Sequence, residues 1–479
     1  MDKTNQSLNQ KQPTYWILGF GASGEAAARL LRREGSDVFV FDEHTGPELE
    51  RRAIELEELG ARIELGVTEL PTESPAHVVV SPGMAKNHAW LTELAARGAH
   101  MVSELELGWR RASCPIIAVT GSNGKSTVVK LIAHCLQTCG VNALPAGNYG
   151  MPLSQAVGEA ADQLIVEVSS FQLEWIESFQ PDMGILLNVQ PNHLNRHGTL
   201  EVYAECKAGL FRNLAADAPH IVHESNLDWL QDRYPDRTGW ISFGETDGAD
   251  WRFHEGAIRH EGRRVADWGD APHQPALLGP AAAAALAAVV SAGIPADAAT
   301  PALASFTPLP HRLEFLGAAG GISFINDSKS TSLSALAAAV SSCQAPIRLI
   351  AGGQVKEPER VLPLEQLRRK VACAYLIGRD AASLAEDWGP VVSCLNCGSM
   401  EAAFEAATAD ARPGETVLLS PGAASFDQYS GFAKRGLAFE SLARKFLLQN
   451  RTASNGGFRG NAMDNPRESS RIAARNSEL

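Results

Sequence analysis

The chain has 479 residues, enough for two to four domains and several sizeable cores. Its 45% hydrophobic and 20% charged residues are those of a globular protein, and a net charge of −13 argues against nucleic acid or an anionic membrane as partner. No apolar run approaches the ~20 residues that span a bilayer. The polar start MDKTNQSLNQKQPT lacks a signal-peptide core, so no membrane insertion and a cytoplasmic location are expected.

In chain order, residues 14–114 form a first block. YWILGFGASG reads as strand and glycine turn, EAAARLLRREG as a helix, DVFVFDE and AHVVVSPG (76–83) as further strands. Gly19, Gly21 and Gly24, with Asp42 at the end of the second strand, have the spacing of a dinucleotide fingerprint. A diphosphate could rest on the helix start at Ala22–Ser23–Gly24, with Asp42 near a ribose or base. Many α/β domains use such turns for packing alone. A nicotinamide oxidoreductase would use this turn but leave the next motif unexplained.

The second block, 115–308, opens with IIAVTGSNGKST (116–127), the most telling stretch of the chain. An apolar β-branched run fits a buried strand, and the turn Gly121–Ser122–Asn123–Gly124 after it fits a phosphate cradle. Lys125 would place a positive charge on the outer phosphates, and Ser126 or Thr127 a hydroxyl on Mg²⁺ at a helix start. An ordinary strand–turn–helix join is the competing account. The full strand, G-x-x-G-K-S and the amphipathic Val128–Cys139 favour a nucleotide. Further strands are expected at 163–170, 183–189, 220–225 and 239–245, and an alanine-rich helix at 281–292. Ligands of an open α/β sheet sit at the carboxyl ends of its strands. Glu167 and His193 fall there, as a carboxylate for Mg²⁺ and a ligand or hydrogen-bond donor. A solvated strand end and a satisfied loop histidine are their plainer readings.

The third block, 309–449, alternates SFINDSKS (323–330), PIRLIAGG, CAYLIGR and ETVLLSPG with helical stretches, predicting another doubly wound sheet. Residues 1–13 and 450–479 read as disordered tails. The eight cysteines are expected to be reduced, and the Cys394–Cys397 pair structural, since no second C-x-x-C exists to complete a zinc site. The fold class is α/β in three domains: Rossmann-like, a central P-loop ATPase-type parallel or mixed sheet, and a second Rossmann-like domain.

The motifs GFGASG, SPG (81–83), TGSNGKST, GNYG (147–150), EVSSFQLE, HLNRHG, PHRLE, NDSKST and LLSPGAASFDQYSGFAKRG together resemble the Mur ligases, over about residues 14–447. EVSSFQLE, NDSKST and SPGAASFDQ point to the glutamate-adding branch. The resemblance implies an ATP-dependent amide ligase acting on UDP-N-acetylmuramoyl-L-alanine and glutamate through an acyl phosphate, with Mg²⁺. It implies that Ala22, Ser23, Asp42, Glu43, Ser81 and Gly83 hold the uridine diphosphate end, and that Asn148, Ser169 and Gln172 line the acyl end. Gly121 to Thr127, with Arg312 and Asp327, would hold ATP. Ser126, Glu167, His193 and a carbamylated Lys207 would hold metal. Lys329, Thr331, Lys356, Ser425, Phe426 and Phe432 would receive glutamate, the two lysines facing its carboxylates. A monomer is expected. Two stretches depart from the family. The G-x-H-N that approaches adenine is replaced within LLGPAAAAALAA (277–288), and two usual aspartates appear as Asn192 and Asn195. A descendant that binds the sugar nucleotide without turnover, a variant using L-glutamate, and a folylpolyglutamate synthetase are the alternatives.

Overall fold

The structure, a computed structural model, describes residues 13–73, 75–268, 275–356 and 360–454. The chain divides into two compact units, Met1–Leu309 and Pro310–Leu479. The first carries two sheets, so the boundary expected at 114/115 separates two sheets inside one unit.

Short runs of β-branched and aromatic residues, buried on both faces, build the first sheet. Its strands are β1 (Thr14–Leu18), β2 (Asp37–Asp42), β3 (Arg62–Leu65), β4 (His77–Val80) and β5 (His100–Ser103). They are all parallel, in the order β3-β2-β1-β4-β5. The helix Ala22–Arg33 lays Ala27, Ala28 and Leu31 on this sheet and keeps its arginines outward. The winding direction reverses between β1 and β4, which opens a crevice at their carboxyl ends. There Ser81 Oγ donates to Gly19 O at 2.9 Å, and a Cβ on Gly19 would stand 2.8 Å from that of Ser81.

The second sheet holds β6 (Ile116–Thr120), β7 (Ala143–Gly147), β8 (Gln163–Glu167), β9 (Met183–Leu186), β10 (His220–His223), β11 (Ile241–Gly244), β12 (Trp251–His254), β13 (Ala257–His260) and β14 (Arg263–Asp267). Their order is β14-β13-β12-β11-β10-β9-β6-β8-β7. Pairing is parallel from β7 to β12 and antiparallel from β12 to β14. The antiparallel extension is absent from the sequence reading. Its hairpins turn at Glu255–Gly256 and Glu261–Gly262, with φ near 50° and 75° at the two positions of each turn. That is the mirror-image turn whose twist suits a tight hairpin. The repeated Glu-Gly pair was the available signal. The alanine-rich helix also starts earlier than expected, running Pro275–Ser291.

Buried carboxylates join the two sheets of the first unit. Glu106 accepts from the N–H groups of Glu177, Ser178 and Phe179, and Glu104 accepts from Ser154 N at 2.6 Å. A net intramolecular hydrogen bond contributes about 0.5–1.5 kcal/mol.

The second unit has β15 (Glu314–Ala319), β16 (Ile322–Asn326), β17 (Ile347–Gly352), β18 (Val371–Ile377), β19 (Cys394–Gly398) and β20 (Thr416–Leu419), in the order β15-β16-β20-β17-β18-β19. Among these described strands the β15–β16 pair is antiparallel and the rest are parallel. Phe324, Tyr375, Phe404 and Phe439 fill its core. The last helix, Phe432–Ser454, corrects the expected tail: residues 450–454 continue it. The rest of that tail, and the N-terminal one apart from Pro13, lies outside the described residues. Pro13 O accepts from Asp37 N at 3.1 Å, so this residue belongs to the first sheet rather than to a tail. All eight cysteines are free.

Candidate active site

The loop after β6 is pinned from below by the segment that follows β9. Asn188 O accepts from Ser122 N at 2.9 Å, and Asn188 Oδ1 accepts from Asn123 N at 2.9 Å. Ser122 Oγ donates to Gln190 O at 3.0 Å. Gly124 caps the helix Lys125–Thr138 at φ 83°, a left-handed conformation in which a side chain would be strained. A Cβ on Gly121 would press on Leu187 Cβ at 3.0 Å. Lys125 Nζ folds over the loop, 2.8 Å from Gly121 O and 3.1 Å from Ser122 O. Loop amides, a helix N-terminus and this ammonium make an anion cradle.

Beside the cradle, Glu167 ends β8 with 3% of its surface exposed. Its Oε2 accepts from Ser126 Oγ at 2.6 Å, and its Oε1 from Asn148 Nδ2 at 2.7 Å. A hydroxyl and a carboxylate at the mouth of a phosphate cradle are the oxygen donors that Mg²⁺ takes, so the residues present fit that ion. Lys207 reaches the same loop from the helix Leu200–Ala208, with Nζ 2.8 Å from Gly121 O and 4.5 Å over the Tyr203 ring. Only 1% of Lys207 is exposed. Burial, then the neighbouring Lys125 charge, pushes its pKa well below the usual lysine range. The sequence-predicted Lys125, Ser126, Asn148, Glu167 and Lys207 thus meet around one loop.

His193 stands at the start of the one-turn helix Leu194–His197 with φ 53°, exposed, its ring edge-on to Phe171 at 4.8 Å. It lines a cavity of about 830 Å³ with Gly83, Phe171, Glu174, Arg196 and His197. Three donor-bearing side chains missed by the sequence reading, Glu174, His197 and Cys206, converge there. Glu174 is held by Arg196 at 2.5 Å.

At the first-sheet crevice, Ala22 and Ser23 open the helix above the glycine turn. Asp42 bonds inward: Oδ2 accepts from Phe20 N at 2.6 Å, and Oδ1 from His44 N at 2.8 Å. Burial pushes its pKa up, but these N–H donors outweigh it and hold the carboxyl below its ordinary value. Glu43 faces His88 at 3.1 Å. Ser169 and Gln172 bond each other as a capping box on the helix Ser170–Leu173.

In the second unit, Asp327 is buried after β16, accepting from Leu313 N at 3.2 Å and Ser420 Oγ at 2.9 Å. Arg312 is close enough to act on its charge. Lys329 Nζ lies 3.9 Å over the Phe432 ring, and Phe426 is 70% exposed. Thr331 is half-buried, Ser425 buried and Lys356 exposed. Arg435, which sequence reasoning missed, is 1% exposed beneath both loops. The LLGPAAAAALAA stretch packs against β12: a Cβ on Gly279 would fall 2.0 Å from the Phe253 ring.

A family model described as the Mur ligase middle domain matches residues 119–292, and one described as the Mur ligase, glutamate ligase domain matches residues 311–422. The UDP-N-acetylmuramoylalanine–D-glutamate ligase of Synechococcus sp. (strain JA-2-3B'a(2-13)) is 36% identical, over 89% of this chain and 98% of its own. That of Nitratidesulfovibrio vulgaris (strain DP4) is also 36% identical, over 89% and 96%. Among solved structures, MurF of Thermotoga maritima in complex with ADP shares the fold at TM-score 0.55 and 16% identity, covering 91% of this chain and 96% of that one. MurF of Acinetobacter baumannii does so at 0.57 and 14%, covering 90% and 93%. A cradle built by Gly121–Thr127, with Glu167 and Lys207 turned onto it, lies within the first matched segment, and the chain belongs to the Mur ligase family.

Proposed function

We propose that the chain joins D-glutamate to UDP-N-acetylmuramoyl-L-alanine at the expense of ATP, a step of peptidoglycan precursor synthesis, acting as a cytoplasmic monomer. The convergence of Lys125, the Ser126–Glu167 pair and the buried Lys207 on the Gly121 loop carries the reading. A substrate carboxylate attacks the γ-phosphorus of ATP, the bond to the bridging oxygen breaks, and ADP leaves. The glutamate amine then attacks the acyl carbon, loses a proton and expels phosphate.

Lys125 and the loop amides hold the transferring phosphoryl group, whose charge grows on the outer oxygens. Ser126, Glu167, His193 and Lys207 would hold Mg²⁺, which when bound neutralises phosphate charge. Burial favours the neutral form of the Lys207 amine, and that form is the one that reacts with CO₂ to give the carbamate the family resemblance implies. A carbamate turns the residue from a cation into an oxygen ligand. Asn148, Ser169 and Gln172 line the acyl end. Ala22, Ser23, Asp42, Glu43, Ser81 and Gly83 receive the uridine diphosphate end. Arg312 and Asp327 serve ATP, and Lys329, Thr331, Lys356, Ser425, Phe426 and Phe432 receive glutamate. Both enantiomers carry the same charges, so the D preference rests on pocket shape near Ser425, Phe426 and Phe432, and on the names of the relatives.

Phosphate release should require UDP-N-acetylmuramoyl-L-alanine, ATP and D-glutamate together, with L-glutamate far poorer. Lys125→Ala should abolish it. Release that is indifferent to glutamate, or an undiminished Lys125→Ala, would refute the assignment.

A further inference from the structure

Arg196 uses all five of its N–H donors. Nη1 donates to Pro82 O at 2.8 Å and Gly83 O at 3.3 Å. Nη2 donates to Met84 O at 2.8 Å and Glu174 Oε2 at 2.5 Å, and Nε to Glu174 Oε1 at 3.2 Å. The guanidinium carbon lies 4.1 Å from the centre of the Phe171 ring, with the side chain only 10% exposed. Phe171 in turn takes the His193 ring edge-on at 4.8 Å and stacks on His197 at 5.6 Å. Three successive carbonyls of the loop after β4 are therefore read by one planar fork, and the fork rests on the ring that seats His193.

We propose that Arg196 is a positioning residue that fixes the SPGM loop of the first sheet relative to His193, and so sets where the acyl end of the sugar nucleotide lies against the phosphate cradle. The inference rests on the proposed substrate. Its physical core is that the loop carries no side chain able to do this: Pro82 and Gly83 offer only backbone, and carbonyls need a donor brought from elsewhere. Arginine alone supplies five donors in a plane that also stacks on a ring; a lysine has the charge without the fork.

Arg196→Lys should raise the Kd and KM for UDP-N-acetylmuramoyl-L-alanine about tenfold or more, with KM for ATP and glutamate within about twofold. A role in stability alone would lower the melting temperature and the active fraction without moving one KM out of three. Phe171→Leu keeps the carbonyl contacts but removes the platform under His193. It should lower kcat about tenfold with less change in sugar-nucleotide Kd, and it reports if Arg196 variants fail to fold. Calorimetry with UDP-N-acetylmuramoyl-L-alanine separates this inference from the function it rests on. Wild type that binds without turnover sinks the ligase reading while the Kd ratio still decides the clamp. An unchanged sugar-nucleotide Kd in folded Arg196→Lys, equal rises in all three KM values, or wild type that does not bind would each overturn it.

Discussion

Among the described residues each unit buries one basic side chain almost completely, and the two are used in opposite ways. Lys207 in the first unit and Arg435 in the second are both 1% exposed. Lys207 Nζ donates to Gly121 O, and burial with the Lys125 charge drives its pKa well down. An amine can escape an unfavourable site by losing its proton, and it then becomes a nucleophile. Arg435 cannot escape in that way. Burial lowers its pKa only to about 10, so it stays charged at neutral pH. It offsets the cost with hydrogen bonds: Nε to Ser328 Oγ at 3.1 Å, Nη2 to Ser328 O at 2.9 Å and Nη1 to Ala423 O at 3.0 Å. One buried cation is prepared for chemistry, the other ties the loops that present Lys329 and Ser425.

The contrast breaks most visibly at Lys207. Lys207→Arg is always charged and has no neutral form to react with CO₂, so it should lose about a hundred- to thousandfold in kcat, and Lys207→Ala should lose as much. Removing bicarbonate should slow the wild type reversibly and leave both variants unaffected. A Lys207→Arg enzyme with near-normal turnover would make the lysine an ordinary buried cation. The opposite pattern is expected at Arg435. Arg435→Lys keeps a charge but cannot span both loops, leaving carbonyls unpaired at about 1–3 kcal/mol each. The glutamate KM should rise about tenfold and the melting temperature fall, while KM for the sugar nucleotide holds. Steady-state kinetics with each substrate varied in turn would detect a uniform loss, which would reduce Arg435 to a folding residue.

The two cations also mark what a sequence discloses. The phosphate cradle is legible because its chemistry needs particular residue types at adjacent positions, Gly121 to Thr127, and Glu167 because it ends a plainly apolar strand. The three parallel cores are legible for a similar reason: buried strands read as continuous apolar runs. Arg196 and Arg435 are not, because most of their partners are backbone carbonyls, at Pro82, Gly83 and Met84 for the first and at Ser328 and Ala423 for the second, and carbonyls have no letter in the sequence. β12 to β14 escape notice because their runs are four and five residues long and rich in His and Arg. Asp42 and Gln172 carry a different lesson. Both stand in recognisable motifs, and their oxygens also bond the backbone: Asp42 accepts from Phe20 N and His44 N, Gln172 from Ser169 N, which no motif announces.

Each unit also holds a buried carboxylate whose pKa burial raises, and these two sharpen the comparison with the smallest expected effect. Burial pushes Glu104 in the first unit and Asp327 in the second up to about 7. Asp327 has hydrogen bonds to both oxygens, whereas Glu104 Oε2 has no partner among the described residues. A folded-state pKa above the unfolded one means the folded chain keeps a proton that the unfolded chain releases. The stabilisation is complete below about pH 4 and is lost as pH rises through 7. Glu104→Gln mimics the protonated acid and still accepts from Ser154 N. Its melting temperature should match the wild type near pH 4 and exceed it by a few degrees at pH 8, at about 2–4 °C per kcal/mol. Turnover should be unchanged, because Glu104 lies at the seam of two sheets and not on the cradle. Asp327→Asn should give the same crossing in stability but lose activity, since it also alters the loop that carries Lys329. Parallel melting curves for Glu104→Gln and wild type from pH 4 to 8 would show that Glu104 is ionised in the fold, and the seam would then be an ordinary polar contact.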